Sequence, residues 1–525
     1  MPFSCPFSDV TIPDVSVYRY LFDELSDADA DADRVALVDS TGEMTYGALA
    51  RRIEGFARML ADRGITIGDV VALMAPNSSA FAVAFHGILR AGATATTVNV
   101  LATAADVAKQ LTDSRARLVL TAGPLHPTAT EGAHRAGLPP DRVVILEDCA
   151  VANGDEPHPW APFDPATHLA ALPYSSGTTG NPKGVMLTHR SLVANVAQIE
   201  HFGLHSDDVV AAVLPFSHIY GMSVLLNSAL HARAQLVIMP SFDLAAFLRN
   251  IADHRCTVAF IAPPIAVALA KHPVVDAYDL TSLRIVVSGA APLDEELGRT
   301  VSDRLRCRVV QGFGMSELSP VSHGVPFDGG LESTGVEAPL SSCGWTMPNS
   351  VSRIIDPQTG ADIDVPDSGL SEPGELLFKG PNLMAGYLGN EAATAETIDA
   401  QGFLHTGDLA RVDAHGCVYI VDRLKELIKY KGYQVPPAEL EATLLTHPDI
   451  ADAAVVGVVD PDTGEEVPKA FVVTQHGAQL TADQVMDYVA QRVAPYKKVR
   501  RVDFIDAVPK SASGKILRRE LRDRR

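Results

Sequence analysis

The stretch CTVAFIAPP, residues 256–264, is a short apolar run that ends in proline, and LRIVVSGAAP (283–292) repeats this design after a helical period. Similar runs occur earlier in the chain, at RVALVDS (34–40), DVVALMAP (69–76), ARLVLTAG (116–123), VVAAVLPF (209–216) and AQLVIMP (234–240). Alternation of such runs with helical periods is typical of parallel strands joined by crossover helices. The sequence therefore predicts an α/β fold with its ligand site beyond the carboxyl ends of the strands.

The pattern of apolar and turn residues changes after about residue 350, which indicates further structural units. The segment VSRIIDPQTGADIDVPDSG (351–369) is rich in strand and turn residues, and the last hundred residues have a mixed α+β pattern. A chain of 525 residues also exceeds what one core usually sustains. We therefore predict an α/β large N-terminal domain over 1–421 (parallel-sheet subdomains plus a β-rich subdomain), a hinge at 422–425 and a small α+β C-terminal domain over 426–525.

Composition excludes several classes of function. The formal net charge of −21 argues against nucleic acid or an acidic membrane face as the main partner. The six cysteines are scattered without CxxC or Cys/His spacing, so neither a disulfide scaffold nor a zinc site is indicated. No signal-peptide pattern and no membrane-length apolar run is visible, so we expect a cytoplasmic protein without a membrane span.

The segment SSGTTGNPKG (175–184) is the first candidate binding loop. It follows an apolar run, and its glycines allow successive N–H groups to turn inward, where they and the hydroxyls suit phosphate oxygens. Lys183 adds a positive charge at the end of the loop. The spacing is not that of a Walker A motif, because Gly184 rather than Ser or Thr follows the lysine. An unliganded polar turn is the alternative for this loop taken alone.

Three further motifs carry groups that suit a nucleotide. QGFGMSE (311–317) offers Phe313 for stacking on a purine and Glu317 for Mg²⁺, because hard cations prefer carboxylate and phosphate oxygens. HTGD (405–408) and Arg423 offer a carboxylate for ribose hydroxyls and a nearby cation. SGKILRR (513–519) presents Lys515 after a glycine. The HTGD and SGKILRR motifs mean little when each is taken alone.

Taken together, these motifs resemble those of the adenylate-forming superfamily, which comprises acyl-CoA synthetases, nonribosomal adenylation domains and luciferases. They occur in family order and with family spacing over nearly the whole chain. Within the superfamily, the chain is most similar to the coumarate CoA ligase branch. The segments that carry this similarity are LPYSSGTTGNPKGVMLTH (172–189), LPFSHIYG (214–221), KELIKYKGYQVPPAELE (425–441) and VPKSASGKILRR (508–519).

The resemblance implies a two-step reaction that uses ATP, Mg²⁺ and coenzyme A. A carboxylate attacks the α-phosphorus of ATP to give an acyl-adenylate and pyrophosphate, and the thiol of CoA then displaces AMP. Both steps require that anionic charge be neutralised, and neither requires a protein nucleophile.

The resemblance also assigns roles to residues. The β- and γ-phosphates would be held by Ser175, Ser176, Gly177, Thr178, Thr179, Gly180 and Lys183, and the α-phosphate and Mg²⁺ by Ser316 and Glu317. The adenine would be held by Gly312 and Phe313, and the ribose by Asp408 and Arg423. Gln311 would also contact the nucleotide. Lys515 would bridge the acyl carboxylate and the α-phosphate, with His218 at the entrance for the carboxylate. The catalytic set is thus Lys515, His218 and Glu317.

The family also implies that the small C-terminal domain is mobile. Rotation about the hinge 422–425 would withdraw Lys515 after the first step and bring Lys429, Lys431 and Gly432 toward the CoA path. Lys425 and Gln434 would lie near the adenylate. Because Lys515 is far in sequence from the other nucleotide contacts, closure of the small domain has to deliver it.

The acyl pocket implied by the family is lined by Tyr220, Val224, Val287, Ala290, Gly314, Pro320 and Val321. At positions 224 and 287 the plant enzymes carry a serine and a lysine that contact the phenolic hydroxyl of coumarate. Phe313, Ser316 and Ser217 are milder departures, at positions where the branch usually has Tyr, Thr and Phe. We therefore predict that the substrate is an unsubstituted, cinnamate-like aromatic propenoic acid or a medium-chain fatty acid.

Two alternatives remain open. An acyl-AMP ligase or adenylation enzyme would load a carrier protein instead of CoA, and the basic segment 496–525, with eleven Lys and Arg against four Asp and Glu, suits either a CoA phosphate or an acidic carrier. Two absences from the sequence weaken this alternative: the large domain has no obvious insertion, and no amino-acid-binding aspartate follows HIYG.

A non-catalytic adenylate-binding protein is the second alternative. It would be expected to lack Lys515, Glu317 or Asp408, and all three are present.

Overall fold

The computed structural model describes residues 2–23, 25, 31–149, 162–175, 182–331, 335–431, 433–460, 465–475, 477–511, 514–522 and 524. The large N-terminal domain contains two sheets with helices packed against them, together with a β-rich part, and a small C-terminal domain follows. The predicted α/β fold with a β-rich subdomain and a small α+β domain is therefore confirmed.

The first sheet contains the two apolar runs that open the sequence argument. Its strand order is Arg308–Gln311, Ile285–Ser288, Val258–Ile261, Val209–Ala212, Gln235–Ile238, Val35–Asp39 and Gly42–Thr45. Successive strands are parallel except the last, which forms an antiparallel hairpin. Three neighbouring strands therefore have their carboxyl ends, at Ile261, Ser288 and Gln311, on the same edge of the sheet.

The second sheet carries the residues that flank the phosphate loop. Its order is Gly386–Tyr387, Lys183–Thr188, Leu169–Ala171, Thr94–Thr97, Val70–Met74, Leu118–Thr121 and Val143–Ile145, and Tyr174–Ser175 also pairs with Lys183–Thr188. Lys183 and Ser175 are direct antiparallel partners. The two ends of the predicted phosphate loop are therefore adjacent in the sheet, while Ser176, Gly177, Thr178, Thr179 and Gly180 lie outside the described residues.

Helices of the large domain cover and separate these sheets. They are Val17–Phe22, Tyr46–Asp62, Ser79–Arg90, Ala104–Ser114, His126–Arg135, His189–Ile199, Ser228–His231, Leu244–His254, Pro263–Lys271, Glu295–Leu305 and Glu391–Thr397. Helix Ser79–Arg90 packs against strands of both sheets and is buried on nearly all sides. Its all-round apolar sequence follows from that position, because a helix with one exposed face keeps a polar stripe.

The β-rich part is an antiparallel sheet of Phe3–Ser4, Val351–Ile355, Gly374–Lys379, Leu404–Val412 and Val418–Arg423, with Asp362–Ile363 paired to Val351–Ile355. Short strands Phe313–Gly314, Val321–Gly324 and Trp345–Thr346 form a smaller sheet, and Gly330–Leu331 pairs with Val336–Glu337. Asp408 and Arg423 are direct cross-strand partners in the first of these sheets. The β-rich part thereby brings together two residues from separate motifs.

The small domain has its own hydrophobic core. It contains the hairpin Ile428–Tyr430 and Tyr433–Val435, helices Pro437–Leu445, Ala482–Ala490 and Arg518–Arg522, and strands Ile450–Val459, Glu466–Thr474 and Arg501–Phe504. Its core includes Ile428, Val435, Leu440 and Val472, all fully buried. Arg423 still belongs to the sheet of the large domain, whereas Ile428 belongs to the core of the small domain.

Two features bear on the predicted class of protein. Within the ranges that the structure describes, no helix has both the length and the apolar character needed to cross a membrane. The six cysteines all fall in described ranges, and each is a free thiol.

Candidate active site

Asp408 and Arg423 form the centre of the candidate site. The Arg423 Nε lies 3.3 Å from Asp408 Oδ1, and the Asp408 carboxylate is almost completely buried. Burial raises the pKa of Asp408, while the charges of Arg423 and Lys515 act in the opposite direction. Asp408 Oδ2 has no hydrogen-bond partner within the described structure. A buried acceptor without a donor is costly, so this oxygen fits a ligand that brings hydroxyl donors, such as a ribose diol.

Lys515 reaches this pair from the small domain. Its loop is closed by hydrogen bonds from Ser511 N to Lys515 O (2.8 Å) and from Lys515 N to Ser511 Oγ (3.2 Å). Gly514 has φ of +84°, a conformation that side chains rarely adopt. Burial and, to a lesser extent, the charge of Arg423 lower the pKa of Lys515 to about 8, although the charge of Asp408 opposes the shift. Lys515 is therefore close enough to Asp408 and Arg423 for their charges to interact.

His218 lies within range of the charge of Lys515. Burial, together with that charge, lowers the pKa of His218 to about 4, so the imidazole is neutral near pH 7. The backbone N–H of Tyr220 donates to His218 Nδ1 at 3.2 Å. Because Nδ1 accepts, the neutral ring carries its proton on Nε2. His218 therefore lies near enough to Lys515 for the charge of the lysine to affect its protonation.

Glu317 occupies the short 3₁₀ turn Ser316–Leu318 and is buried. The Tyr387 hydroxyl donates to Glu317 Oε1 at 2.8 Å, and the Lys183 ammonium lies 4.5 Å from the centre of the Tyr387 ring. Burial and the neighbouring carboxylate raise the pKa of Tyr387, which therefore stays a donor. Tyr387 thus links the phosphate-loop lysine to the candidate magnesium ligand, a role that no motif in the sequence indicated.

The donor set fits a cation that arrives with its nucleotide. Among the residues that the structure describes, no group of three or more His, Cys, Asp or Glu side chains could hold a metal ion. Mg²⁺ commonly uses one or two carboxylates and completes its shell with phosphate oxygens and water. Glu317, which is linked to Lys183 through Tyr387, fits this arrangement, since the lysine can neutralise further phosphate charge.

The QGFG segment follows strand Arg308–Gln311 at the carboxyl edge of the first sheet. Gln311 Oε1 accepts from Leu293 N at 2.7 Å, and its Nε2 donates to Leu293 O and Leu340 O. The Gln311 side chain therefore braces two loops, which leaves its backbone for any contact with a nucleotide. Phe313 pairs with His323 across the strands, and their ring centres are 6.1 Å apart. A Cβ on Gly312 would lie 3.4 Å from the His323 carbonyl oxygen.

The residues assigned to the acyl pocket form two groups. Tyr220 begins the π-helix Tyr220–Asn227, which also carries the buried Val224. The Tyr220 hydroxyl lies 3.4 Å from the carbonyl oxygen of Val287. A Cβ on Gly289 would lie only 2.9 Å from the Tyr220 ring, so Gly289 is required for this packing.

The second group is the hairpin that pairs Gly314 with Val321. A Cβ on Gly314 would lie 2.3 Å from the Pro320 carbonyl oxygen, so the hairpin also requires glycine here. Ala290, directly after Gly289, is exposed and has φ of +71°.

The residues predicted for CoA and for the hinge lie apart from this centre. Lys429 and Gln434 are cross-strand partners in the hairpin of the small domain, and Lys431 has φ of +49° at its turn. All three side chains are exposed, as is that of Lys425. Gly432 lies outside the described residues. The structure thus places Lys515 within electrostatic range of Asp408, Arg423 and His218. The side chains of Lys425, Lys429, Lys431 and Gln434 lie at the surface.

Comparison with known proteins agrees with this architecture. The family model described as AMP-binding enzyme matches residues 26–388, and that of the AMP-binding enzyme C-terminal domain matches residues 439–515. The chain is 43% identical to 4-coumarate–CoA ligase 5 of Oryza sativa subsp. japonica, over 98% of this chain and 95% of that protein. It is 40% identical to 4-coumarate–CoA ligase 1 of Solanum tuberosum, over 99% and 96%.

A solved structure shows the same overall fold. The crystal structure of ATP-bound MatB from Rhodopseudomonas palustris superposes with a TM-score of 0.84 at 28% identity, covering 97% of this chain and 99% of that one. The match spans both domains, as do the two family models. The chain therefore belongs to the AMP-binding enzymes of the adenylate-forming superfamily, in the branch of the coumarate CoA ligases.

Proposed function

We propose that this protein is an ATP-dependent acyl-CoA ligase that joins a carboxylic acid to coenzyme A through an acyl-adenylate. The observation that carries the proposal is the convergence of Lys515, from the small domain, on the buried Asp408–Arg423 pair of the large domain. Among the described residues, no group donates to Asp408 Oδ2, which leaves this oxygen for a ribose hydroxyl. Lys515 would add a cation where the acid carboxylate and the α-phosphate meet.

In the first step an oxygen of the acid bonds to the α-phosphorus of ATP, and the bond to pyrophosphate breaks. The Lys515 ammonium would stabilise the charge that builds up on both reacting groups, which is the usual source of catalysis in phosphoryl chemistry. Asp408 would hold the ribose, and Ser316 and Lys183 would contact phosphate oxygens. Mg²⁺, when bound at Glu317, supplies further neutralisation of phosphate charge.

In the second step the sulfur of CoA bonds to the acyl carbonyl carbon, and AMP leaves with the electrons of the acyl–oxygen bond. We assign Lys429, Lys431 and Gly432 to CoA and the hinge to 422–425. Two features support the assignment: Arg423 ends a strand of the large domain, and the core of the small domain begins at Ile428. Rotation there would withdraw Lys515 and turn the exposed hairpin toward the acyl group.

The acyl pocket is expected to favour cinnamate and octanoate over 4-coumarate. The buried Val224 and Val287 offer no side-chain hydrogen bond to a hydroxyl at that end of the pocket, so burying one costs about 1–3 kcal/mol. This corresponds to about five- to 150-fold in kcat/KM. Steady-state assays with the three acids measure the ratio of their kcat/KM values. A Val287→Lys variant should reduce the preference for cinnamate and octanoate over 4-coumarate. A kcat/KM for 4-coumarate equal to or above the other two would contradict the assignment.

Adenylation is expected to decline above about pH 8. The pKa of Lys515 is lowered to about 8, and the charged form is the active one, so kcat/KM for adenylation falls as pH rises through that value. Pyrophosphate exchange at subsaturating acid, measured from pH 6.5 to 9.5, records this decline. Lys515→Arg should remove it, because a guanidinium stays charged. A wild-type profile that is flat up to pH 9.5 would count against the role of Lys515.

The proposed function is tested by screening about twenty carboxylic acids for formation of AMP that depends on both the acid and CoA. The expected result is a thioester product with at least one aromatic propenoic or medium-chain fatty acid. A parallel reaction with an acyl carrier protein replacing CoA separates the two acceptors. Transfer to the carrier alone would identify an acyl-AMP ligase and overturn the assignment of CoA.

A further inference from the structure

Lys271 connects the two domains through a single side chain. It is the last residue of the large-domain helix Pro263–Lys271, and its ammonium donates to three backbone carbonyl oxygens of the small domain. The distances are 2.7 Å to Leu445 O, 3.0 Å to Ile450 O and 3.3 Å to His447 O. An ammonium has three N–H donors, so all of its hydrogen-bonding capacity is used on the other domain.

The three carbonyls provide a natural site for a cation. They belong to the last residue of helix Pro437–Leu445, to His447 in the turn that follows, and to Ile450, the first residue of strand Ile450–Val459. The last carbonyls of a helix lack partners within the helix and carry the negative end of its dipole. Lys271 donates to one of them, Leu445 O, from outside the helix, and its partial burial at the contact lowers its pKa. The contact between the domains is therefore partly shielded from water.

The other end of the same helix contacts the loop that bears Lys515. A Cβ on Gly514 would lie 3.1 Å from Ala262 Cβ, so this glycine packs closely against the residue before Pro263. Nine helical residues span about 13 Å. Two contacts at that separation restrict the orientation of the small domain more than either contact would alone. One of them is formed by the residue next to Lys515.

We propose that Lys271 is a positioning residue that holds the small domain in the arrangement in which Lys515 reaches the Asp408–Arg423 site. The inference rests on the proposed two-step function. Lys271 would stabilise the adenylate-forming arrangement and would have to release the three carbonyls before the small domain rotates. Its loss should lower the population of that arrangement and slow the first half-reaction alone.

The test uses the full-length Lys271→Met enzyme, which keeps an apolar chain of similar length and removes the ammonium. We expect kcat for acid-dependent pyrophosphate exchange to fall about tenfold or more, since charge-assisted hydrogen bonds are lost, with KM for ATP within about twofold of wild type. Thioester formation from supplied acyl-adenylate should stay equal or become faster. Lys271→Arg, which keeps the donors, should recover part of the exchange activity.

Lys379→Met is the matched control. The Lys379 ammonium also donates to a backbone carbonyl, that of Gln401 at 2.8 Å, but both residues belong to the large domain. This variant should leave the ratio of the two half-reactions unchanged. An equal fall of both half-reactions in Lys271→Met, no change in either, or the same shift in Lys379→Met would overturn the proposal.

Hydrogen–deuterium exchange gives a readout that does not depend on catalysis. The backbone of residues 445–450 should exchange faster in Lys271→Met than in wild type, and a protection unchanged from wild type would also overturn the proposal. If the wild-type enzyme exchanges pyrophosphate with no acid, the proposed function fails, and this second measurement still decides whether Lys271 holds the domains together.

Discussion

The Lys515→Ala enzyme is expected to lose adenylation by about 10²–10³-fold, because removing one well-placed charge that stabilises a transition state costs that much. Lys515 is the small-domain cation that interacts with Asp408 and Arg423, and it also lowers the pKa of His218. Pyrophosphate exchange measures the first half-reaction directly. Thioester formation from supplied acyl-adenylate should stay within a few fold of wild type, because Lys515 is withdrawn in that step.

The neighbouring Lys510 is the control for this variant. It lies on the same segment and pairs with Asp452 within the small domain, at 2.5 Å. Lys510→Ala should therefore leave the first half-reaction largely intact. Equal losses of adenylation and thioester formation in Lys515→Ala would refute the assignment of this lysine.

The Asp408→Ala enzyme is expected to bind ATP and AMP about 150-fold or more weakly. The variant removes both the free Oδ2 and the partner of Arg423, and hydrogen bonds to a charged group contribute about 1.5–3 kcal/mol each. Two ribose hydroxyls bound by this carboxylate would contribute about 3 kcal/mol or more to the free energy of binding. Calorimetric titration with AMP measures the affinity. Both half-reactions should be impaired, in contrast to Lys515→Ala, because the ribose stays bound through both.

Asp408→Asn separates the acceptor role from the charge. The amide keeps one oxygen acceptor and nearly the same volume, so AMP binding should be intermediate between wild type and Asp408→Ala. If Asp408→Ala binds AMP as tightly as wild type while remaining folded, this carboxylate does not hold the ribose.

The strands of the first sheet were predictable because buried parallel strands are short apolar runs, as in 256–264 and 283–292, and the turn residues that close each run mark its end. The position of the binding loops at the carboxyl edge follows from that topology. Asp408 and Arg423, by contrast, are fifteen residues apart, and the sequence alone indicated only that a carboxylate and a cation lie in the same region, whereas the family resemblance assigned both to the ribose. The structure then gives its physical basis, since the two residues are cross-strand partners.

Other features could not be predicted from local sequence. Tyr387 contacts Glu317 and Lys183 only because an edge strand of the second sheet lies beside the turn that carries Glu317. Lys271 looks like an ordinary basic residue at the end of a helix until the small domain is placed against it. The glutamine of QGFG looks like a ligand-binding side chain, yet Gln311 uses both amide atoms on backbone groups. Each of these roles depends on tertiary packing.

The central claim is that the Asp408–Arg423 pair and Lys515 together form an adenylate from an acid and ATP. Exchange of labelled pyrophosphate into ATP by the wild-type protein, with Mg²⁺ and without CoA, tests it most directly. The account predicts exchange that depends on the acid and falls by about 10²–10³-fold in Lys515→Ala. Failure of exchange with every acid tried, or exchange that proceeds equally without an acid, would contradict it.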